Sequence, residues 1–391
     1  MVRRRRILFL AVCALALALA GPAAASQGML VGAAEDAGKT VDPAVAQAQM
    51  DLAKLAGLDA IRVTAVWAPG QSAPDPDTLT ALQTAATAAQ ADDIRLIVSV
   101  MSYGSATTPL TDQDQADFAS YAAALVTGLP TVQDFIIGNE PNLNRYWMPQ
   151  FGPGKKDAAA IAYERLLALT YDAMKEVSPT VDVIGGSVSP RGTDDPSVRP
   201  THSPTTFIPD LGAAYRASGR TEPIMDAFAF HPYGESSRIA PDFQHPHSTS
   251  IGLGDYRKLV GLLSRAFKGT AQPGASLPIL YDEYGVQSQI PFFEQPAYTN
   301  LDVPSGRDAV SESLQGSYYR LAIQMAACQP TVMGLLIFHT VDEANLDRWQ
   351  SGMFYADGTP KGSLAVVKAA AEQAETSSVN CAALKKSGKR R

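Results

Sequence analysis

Short apolar runs rich in Val, Ile and Phe alternate along this chain with longer segments of helical spacing. The runs are MLVGA (Met29 to Ala33), AIRVTAVW (Ala60 to Trp67), IRLIVSVM (Ile94 to Met101), DFIIGNE (Asp134 to Glu140), DVIGGSVS (Asp182 to Ser189), DAFAFHPY (Asp226 to Tyr233), PILYDEYG (Pro278 to Gly285) and VMGLLIFHT (Val332 to Thr340). Each predicts a strand, near-continuous in its apolar character as buried parallel strands are. Between them, DPAVAQAQMDLAKLAG (Asp42 to Gly57) predicts a helix capped by Asp42 with Pro43 at its first position. Tyr163 to Val177, Tyr256 to Gly269 and Ser313 to Ala327 place apolar residues near i, i+3, i+4 and i+7 in the same way. Strand and helix alternate eight times, which predicts an α/β fold with a covered parallel sheet, closed as a single (β/α)8 TIM barrel.

Loop lengths point the same way. Helices lead into strands through short pieces such as Gly57 to Asp59 and Ser178 to Thr180, whereas strands lead into helices through long ones, including Pro141 to Lys156 and Pro190 to Pro204. The long βα loops of a barrel share the face formed by the C-terminal strand ends, where active sites of this fold are built. A doubly wound open sheet is the competing architecture. It would carry a Gly-rich phosphate turn after the first strand, and MLVGAAEDAGKT has no such fingerprint.

Four arginines, an apolar stretch from Ile7 to Ala20 and small residues at Ala23 and Ala25 predict a secretory signal peptide over residues 1–25. The rival, a retained membrane anchor, needs an apolar run of roughly 20 residues, and this one is shorter. No transmembrane segment is expected once the signal is removed. Its loss takes four of the 32 Lys and Arg and none of the 39 Asp and Glu, so 28 basic residues face 39 acidic ones. So acidic a body argues against nucleic acid as a partner. The basic run LKKSGKRR within a C-terminal tail, residues 376–391, reads as solvated, or as a contact to a cell wall or membrane surface. Residues 26–375 are expected to form one domain. Cys328 and Cys381 remain, either as one disulfide or as two free thiols.

In a barrel, polar residues at the ends of apolar strands project into the loop-lined mouth. These are Arg62 and Trp67, Tyr103, Asn139 and Glu140, Ser187 and Ser189, His231 and Tyr233, Glu283, and His339. Glu140 and Glu283 close the fourth and seventh strands, and two carboxyl groups across a cleft are the equipment of glycosidic bond cleavage. His245-Pro246-His247 has no third ligand at metal-site spacing, and no GxSxG elbow is present.

GNEPN at the end of the fourth strand and YDEYG at the end of the seventh resemble the clan A glycoside hydrolases, which are retaining (β/α)8 enzymes. HPYG (His231 to Gly234) and SGMFYADGTPKGS (Ser351 to Ser363) resemble further segments of that clan. The resemblance spans nearly the whole mature chain, and glycoside hydrolase families 5 and 39 are the nearest. It implies a glycosidase of a polysaccharide or oligosaccharide working by double displacement; the signal peptide adds the expectation of secretion, and no cofactor or metal is expected. Glu140 would be the general acid and then the general base, and Glu283 the nucleophile, about 5–5.5 Å away. Arg62 and the Tyr233 hydroxyl would hold the charge of Glu283, Asn139 would bind the sugar 2-hydroxyl, and His231 would sit in the clan's sixth-strand site. Among the loop aromatics Tyr146, Trp147, Phe151, Phe292, Phe293, Tyr298 and Trp349, the two tryptophans Trp147 and Trp349 are the expected sugar platforms. The chain departs from the clan with Phe338 and His339 where a tryptophan is common, and with Tyr103 where some families have a histidine, which leaves the family and the sugar open. The alternative is a non-catalytic carbohydrate-binding TIM barrel.

Overall fold

The structure, a computed structural model, describes residues 28–302 and 308–387; the expected signal peptide and the last four residues of the basic tail lie outside them. Eight parallel strands close into a barrel in chain order: β1 (Leu30–Ala34), β2 (Ala60–Trp67), β3 (Arg95–Ser102), β4 (Asp134–Ile137), β5 (Asp182–Val188), β6 (Ala227–Phe230), β7 (Ile279–Tyr284) and β8 (Val332–Ile337). The helices that follow them are α1 (Pro43–Leu55), α2 (Pro76–Ala91), α3 (Asp112–Gly128), α4 (Ala158–Val177), α5 (Pro204–Ser218), α6 (Tyr256–Ala266), α7 (Glu312–Ala327) and α8 (Leu364–Glu375). This is the (β/α)8 barrel that the alternation predicts.

Strand alternation divides the core. Ala60, Ile97, Ile136, Ile184, Ala227, Ala229, Leu280 and Leu336 fill the barrel interior, while their neighbours along the strands, such as Phe135, Ile137, Phe228 and Phe230, pack outward in the larger core shared with the helices. Burying one such Ile or Phe stabilises by roughly 1.5–3 kcal/mol. Helix starts are set locally: Asp42 accepts from the Ala44 N–H, Asp75 from Thr78 and Asp157 from Ala160, each satisfying an amide that the helix cannot.

The differences lie at the ends of elements. β4 stops at Ile137, three residues before the expected Glu140, because Gly138 takes φ 85° and Glu140 φ 40°, a turn that ends the ladder. A short helix, α9 (Cys381–Ser387), falls in the stretch expected as a basic tail. Cys381 is disulfide-bonded to Cys328, the residue that ends α7, with Cα atoms 5.5 Å apart. Among the described residues, no helix is long and apolar enough to cross a membrane.

Candidate active site

The site is assembled by inward-facing residues one step beyond the interior layer. On β2, Arg62 follows Ala60 on the same face, and after β6, His231 and Tyr233 continue the inward series of Ala227 and Ala229. Two irregularities then break the period of two. Pairing of β5 with β6 slips between Gly186 and Val188, with Gly186 at φ 98° and Ser187 at φ 48°, and this bulge turns Ser187 into the barrel. Pairing of β7 with β8 slips between Tyr281 and Tyr284, which brings both Asp282 and Glu283 to the site where strict alternation would admit one.

Tyr163 of α4 ties the adjacent strand ends together: its hydroxyl donates to Ile137 O at 2.7 Å and accepts from the Gly186 N–H at 2.7 Å. The Glu140 N–H donates to Ser187 O at 2.8 Å. Positive φ at a non-glycine residue is costly and is found where the surroundings enforce it, often at functional sites. Here the enforced turn carries the Glu140 carboxylate into the mouth.

Arg62, 6% exposed, reaches Glu283 Oε1 with Nη2 at 2.7 Å and Asp282 Oδ2 with Nη1 at 3.1 Å. Tyr233 donates its hydroxyl to Glu283 Oε2 at 3.1 Å. His231 is fully buried; its Nδ1 lies 3.1 Å from Glu140 Oε1 and 3.5 Å from Glu283 Oε2. Because one nitrogen touches both carboxylates, their nearest oxygens are no further apart than 3.1 Å and 3.5 Å laid end to end. On its other side, His231 Nε2 lies 3.0 Å from Ser187 Oγ and 3.3 Å from Asp282 Oδ2, and Ser187 donates to Asp282 at 2.8 Å.

Burial alone would lower the His231 pKa. The charges of Glu283 and Asp282 and the bonds to Asp282 and Glu140 outweigh it and hold the imidazole well above its usual value. For Asp282 burial pulls upward, yet His231, Arg62 and Ser187 bring the carboxyl below its ordinary value. Tyr233 is raised well above 10 by burial and then by Glu283 and Glu140, so it stays a phenol and a donor. Burial and the neighbouring Glu140 push Tyr146 up to about 12.

A cavity of about 410 Å³ opens above these groups, lined among others by Glu140, Glu283, Tyr146, Tyr233, Phe338 and Trp349. Trp349 packs on Tyr233 with ring centroids 5.4 Å apart and on Phe338 at 5.5 Å, so a tryptophan from the loop after β8 stands beside the phenylalanine at the strand end. A larger groove of about 770 Å³ lies on the outside of the barrel by the disulfide and shares no lining residue with this cavity.

Of the expected site residues, Arg62, Glu140, His231, Tyr233, Glu283 and Trp349 are brought together. Asn139 adjoins Glu140 and is half-buried; its Oδ1 is buried and has no hydrogen-bond partner among the described residues. Trp147 is corrected: it is 3% exposed and packs edge-on against Tyr163 at 5.7 Å, because the loop after β4 folds it into the core rather than over the mouth. Phe151 packs on His202, Tyr298 is buried, and Phe292, Phe293 and Tyr103 stand in solvent. Sequence reasoning missed Asp282, which follows the inward Leu280 in strict alternation, whereas Glu283 reaches the site because the β7 ladder slips. It also missed Arg145, Arg191 and Glu235, loop residues with no periodicity to signal them. His245 pairs with two carboxylates: its Nδ1 lies 2.6 Å from Asp255 and its Nε2 2.7 Å from Glu235.

No protein-family model matches the chain, and no curated protein sequence matches it. Solved structures do match. A family 39 glycoside hydrolase from the gut symbiont Bacteroides cellulosilyticus is similar with a TM-score of 0.62 at 16% identity, covering 88% of this chain and 64% of its own. A family 5 glycoside hydrolase (subfamily 18) from Bifidobacterium longum subsp. infantis gives 0.60 at 13%, covering 89% and 79%. A monomeric β-xylosidase from Caulobacter crescentus gives 0.54 at 17%, covering 87% and 67%. At these identities the likeness is one of fold, and this chain spans a little under two thirds of the Bacteroides protein.

Proposed function

We propose that this chain is a secreted retaining glycoside hydrolase that cleaves O-glycosidic bonds by double displacement between Glu140 and Glu283. The observation that carries the reading is the shared His231 nitrogen, which holds the two carboxylates to a spacing that fits the roughly 5–5.5 Å of retaining enzymes better than the roughly 6.5–9.5 Å of inverting ones. The fold shared with glycoside hydrolases of families 5 and 39 supports it. The disulfide supports secretion, since such bonds persist in oxidising compartments. The basic tail would then serve wall or surface association.

The environments divide the roles. Glu283 is clamped by Arg62 and Tyr233, the setting of a carboxylate that stays ionised and attacks the anomeric carbon. Among the described residues Glu140 pairs with His231 alone, and it serves as the acid. With its proton on Glu140, the cluster is balanced: Arg62 and His231 carry the positive charges, Asp282 and Glu283 the negative ones. As the glycosidic bond breaks, Glu140 protonates the departing oxygen and Glu283 bonds to the sugar. Water then adds at the anomeric carbon, giving its proton to Glu140 and releasing Glu283. Asn139, next to Glu140, would take the sugar 2-hydroxyl, a contact that strengthens as the oxocarbenium-like state forms.

The test is a panel of plant, fungal and bacterial glycans digested with the wild type, Glu140→Ala and Glu283→Ala. Wild-type hydrolysis lost by a factor of about 10³ or more in both variants is expected if each carries a chemical step. Equal behaviour of all three proteins on every glycan would leave a carbohydrate-binding barrel without turnover.

A further inference from the structure

The cavity has two unlike walls. Phe338 and Trp349 follow β8, and with Tyr233 they make an aromatic wall suited to a sugar face. Across the barrel, the loops after β4 and β5 contribute Arg145, Tyr146 and Arg191. The acids that line the cavity are largely engaged elsewhere: Glu283 with Arg62, Glu140 with His231 and Glu235 with His245, leaving the exposed Asp308. Among the described residues neither Arg145 nor Arg191 has a carboxylate within ion-pair distance. The Arg145 guanidinium lies over the Tyr146 ring at 5.4 Å, and Arg191 Nη1 is a buried donor without an acceptor. A buried guanidinium N–H left unmatched is costly and rare, so its presence on a cavity wall calls for an acceptor that the chain itself does not supply.

The two arginines stand on a common, rigid base. Asn142 is fully buried; its Nδ2 donates to Ser189 O and His202 O, and its Oδ1 accepts from the Ser189 N–H, which locks the loop after β4 to the loop after β5. The Arg145 carbonyl in turn accepts from the Ser105 N–H at 3.0 Å. A planar fork held in this way matches the oxygens of a carboxylate or a sulfate.

We infer that Arg191, assisted by Arg145, forms a subsite for an anionic substituent, the carboxylate of a uronosyl residue or a sulfate ester, and that the substrate class is an acidic glycan. This rests on the glycosidase reading above and adds the side: Glu140, the proton donor, belongs to the same loop as Arg145, so the anionic sugar lies toward the leaving group.

The experiment assays acidic glycans beside their own neutralised forms, uronate-containing ones after carboxyl reduction and sulfated ones after desulfation. Binding of the same pairs is measured by calorimetry on the Glu283→Ala protein. The anionic form of one class is expected to be preferred in kcat/KM by about ten- to hundredfold, the worth of a charge-assisted bidentate contact. Arg191→Met is expected to bring that ratio near one, with Arg191→Lys intermediate, while the neutral form loses no more than a few-fold. Preference for the carboxylated set assigns a uronosyl subsite, and preference for the sulfated set a sulfate one. Hydrolysis of both forms at equal rates overturns this inference and leaves the glycosidase reading standing. No hydrolysis, with anion-selective binding that Arg191→Met abolishes, keeps the subsite and sinks the glycosidase. Neither hydrolysis nor selective binding overturns both.

Discussion

Replacing Arg62 with methionine, a side chain of similar length without charge, tests what holds Glu283, the proposed nucleophile. The guanidinium makes three contacts: Glu283 Oε1 at 2.7 Å, Asp282 Oδ2 at 3.1 Å and the Asp282 carbonyl at 3.2 Å. Asp282 has no exposed surface and Glu283 has 12%. Breaking a buried pair by removing one partner leaves an uncompensated charge and costs about 3–5 kcal/mol. At ~2 cal/mol/K of unfolding entropy per residue, a folded body of roughly 350 residues loses about 4–7 °C in Tm for that sum. Part of the cost is the stranded Asp282, so Arg62→Met combined with Asp282→Asn should recover some of the melting temperature. It should not recover turnover, because Glu283 still lacks the 2.7 Å contact to Arg62; a fall in kcat of roughly 10²-fold or more is expected if one preorganised charge contact is lost in the transition state. Differential scanning calorimetry and steady-state kinetics on the best glycan check both halves. A variant that melts within about 1 °C of the wild type and keeps its kcat would refute the reasoning.

His231 carries a pH signature. Its folded pKa is raised, so its contribution to stability is complete below the unfolded value of about 6.5. It is lost as pH rises from there through the folded value, at about 1.4 kcal/mol per pH unit, because the folded state keeps a proton that the unfolded state has released. Urea titrations from pH 6 to 9 should therefore show the gap between wild type and His231→Gln narrowing as pH rises, and a constant gap would contradict the charge assignment. Trp349→Ala should raise KM by roughly five- to thirtyfold, from about 1–2 kcal/mol of lost ring contact, with a small effect on kcat. Trp147→Ala, by contrast, should cost about 3–5 kcal/mol of stability as a core truncation, and a variant with wild-type Tm and altered KM would restore Trp147 to the mouth.

The barrel was legible because two signals agreed: apolar runs of strand length recurred eight times between amphipathic segments, and the long loops all fell on one side of the strands. That count also placed Glu140 just past the end of β4 and Glu283 on β7, where their meeting follows from topology. Local departures from period two were not legible. Nothing in YDEYG says that the β7 ladder slips and turns both Asp282 and Glu283 inward, and nothing in GGSVS marks the bulge that aims Ser187 at Asp282. Trp147 and Trp349 look alike in sequence, each an aromatic in a long loop, yet one is drawn into the core beside Tyr163 and the other stands over the site against Tyr233. The arginine wall was hidden for the same reason, since irregular loops carry no pattern from which direction can be read.

The central claim is that Glu283 bonds covalently to the sugar while Glu140 moves the proton. Activated 2-fluoro glycosides of the sugars released in the glycan panel slow the second step and let the intermediate accumulate, and digestion followed by mass spectrometry locates the label. The account predicts one sugar per protein molecule on the peptide containing Glu283, with none when Glu283→Ala is treated in the same way. Label on any other residue, or inactivation without label, would contradict it.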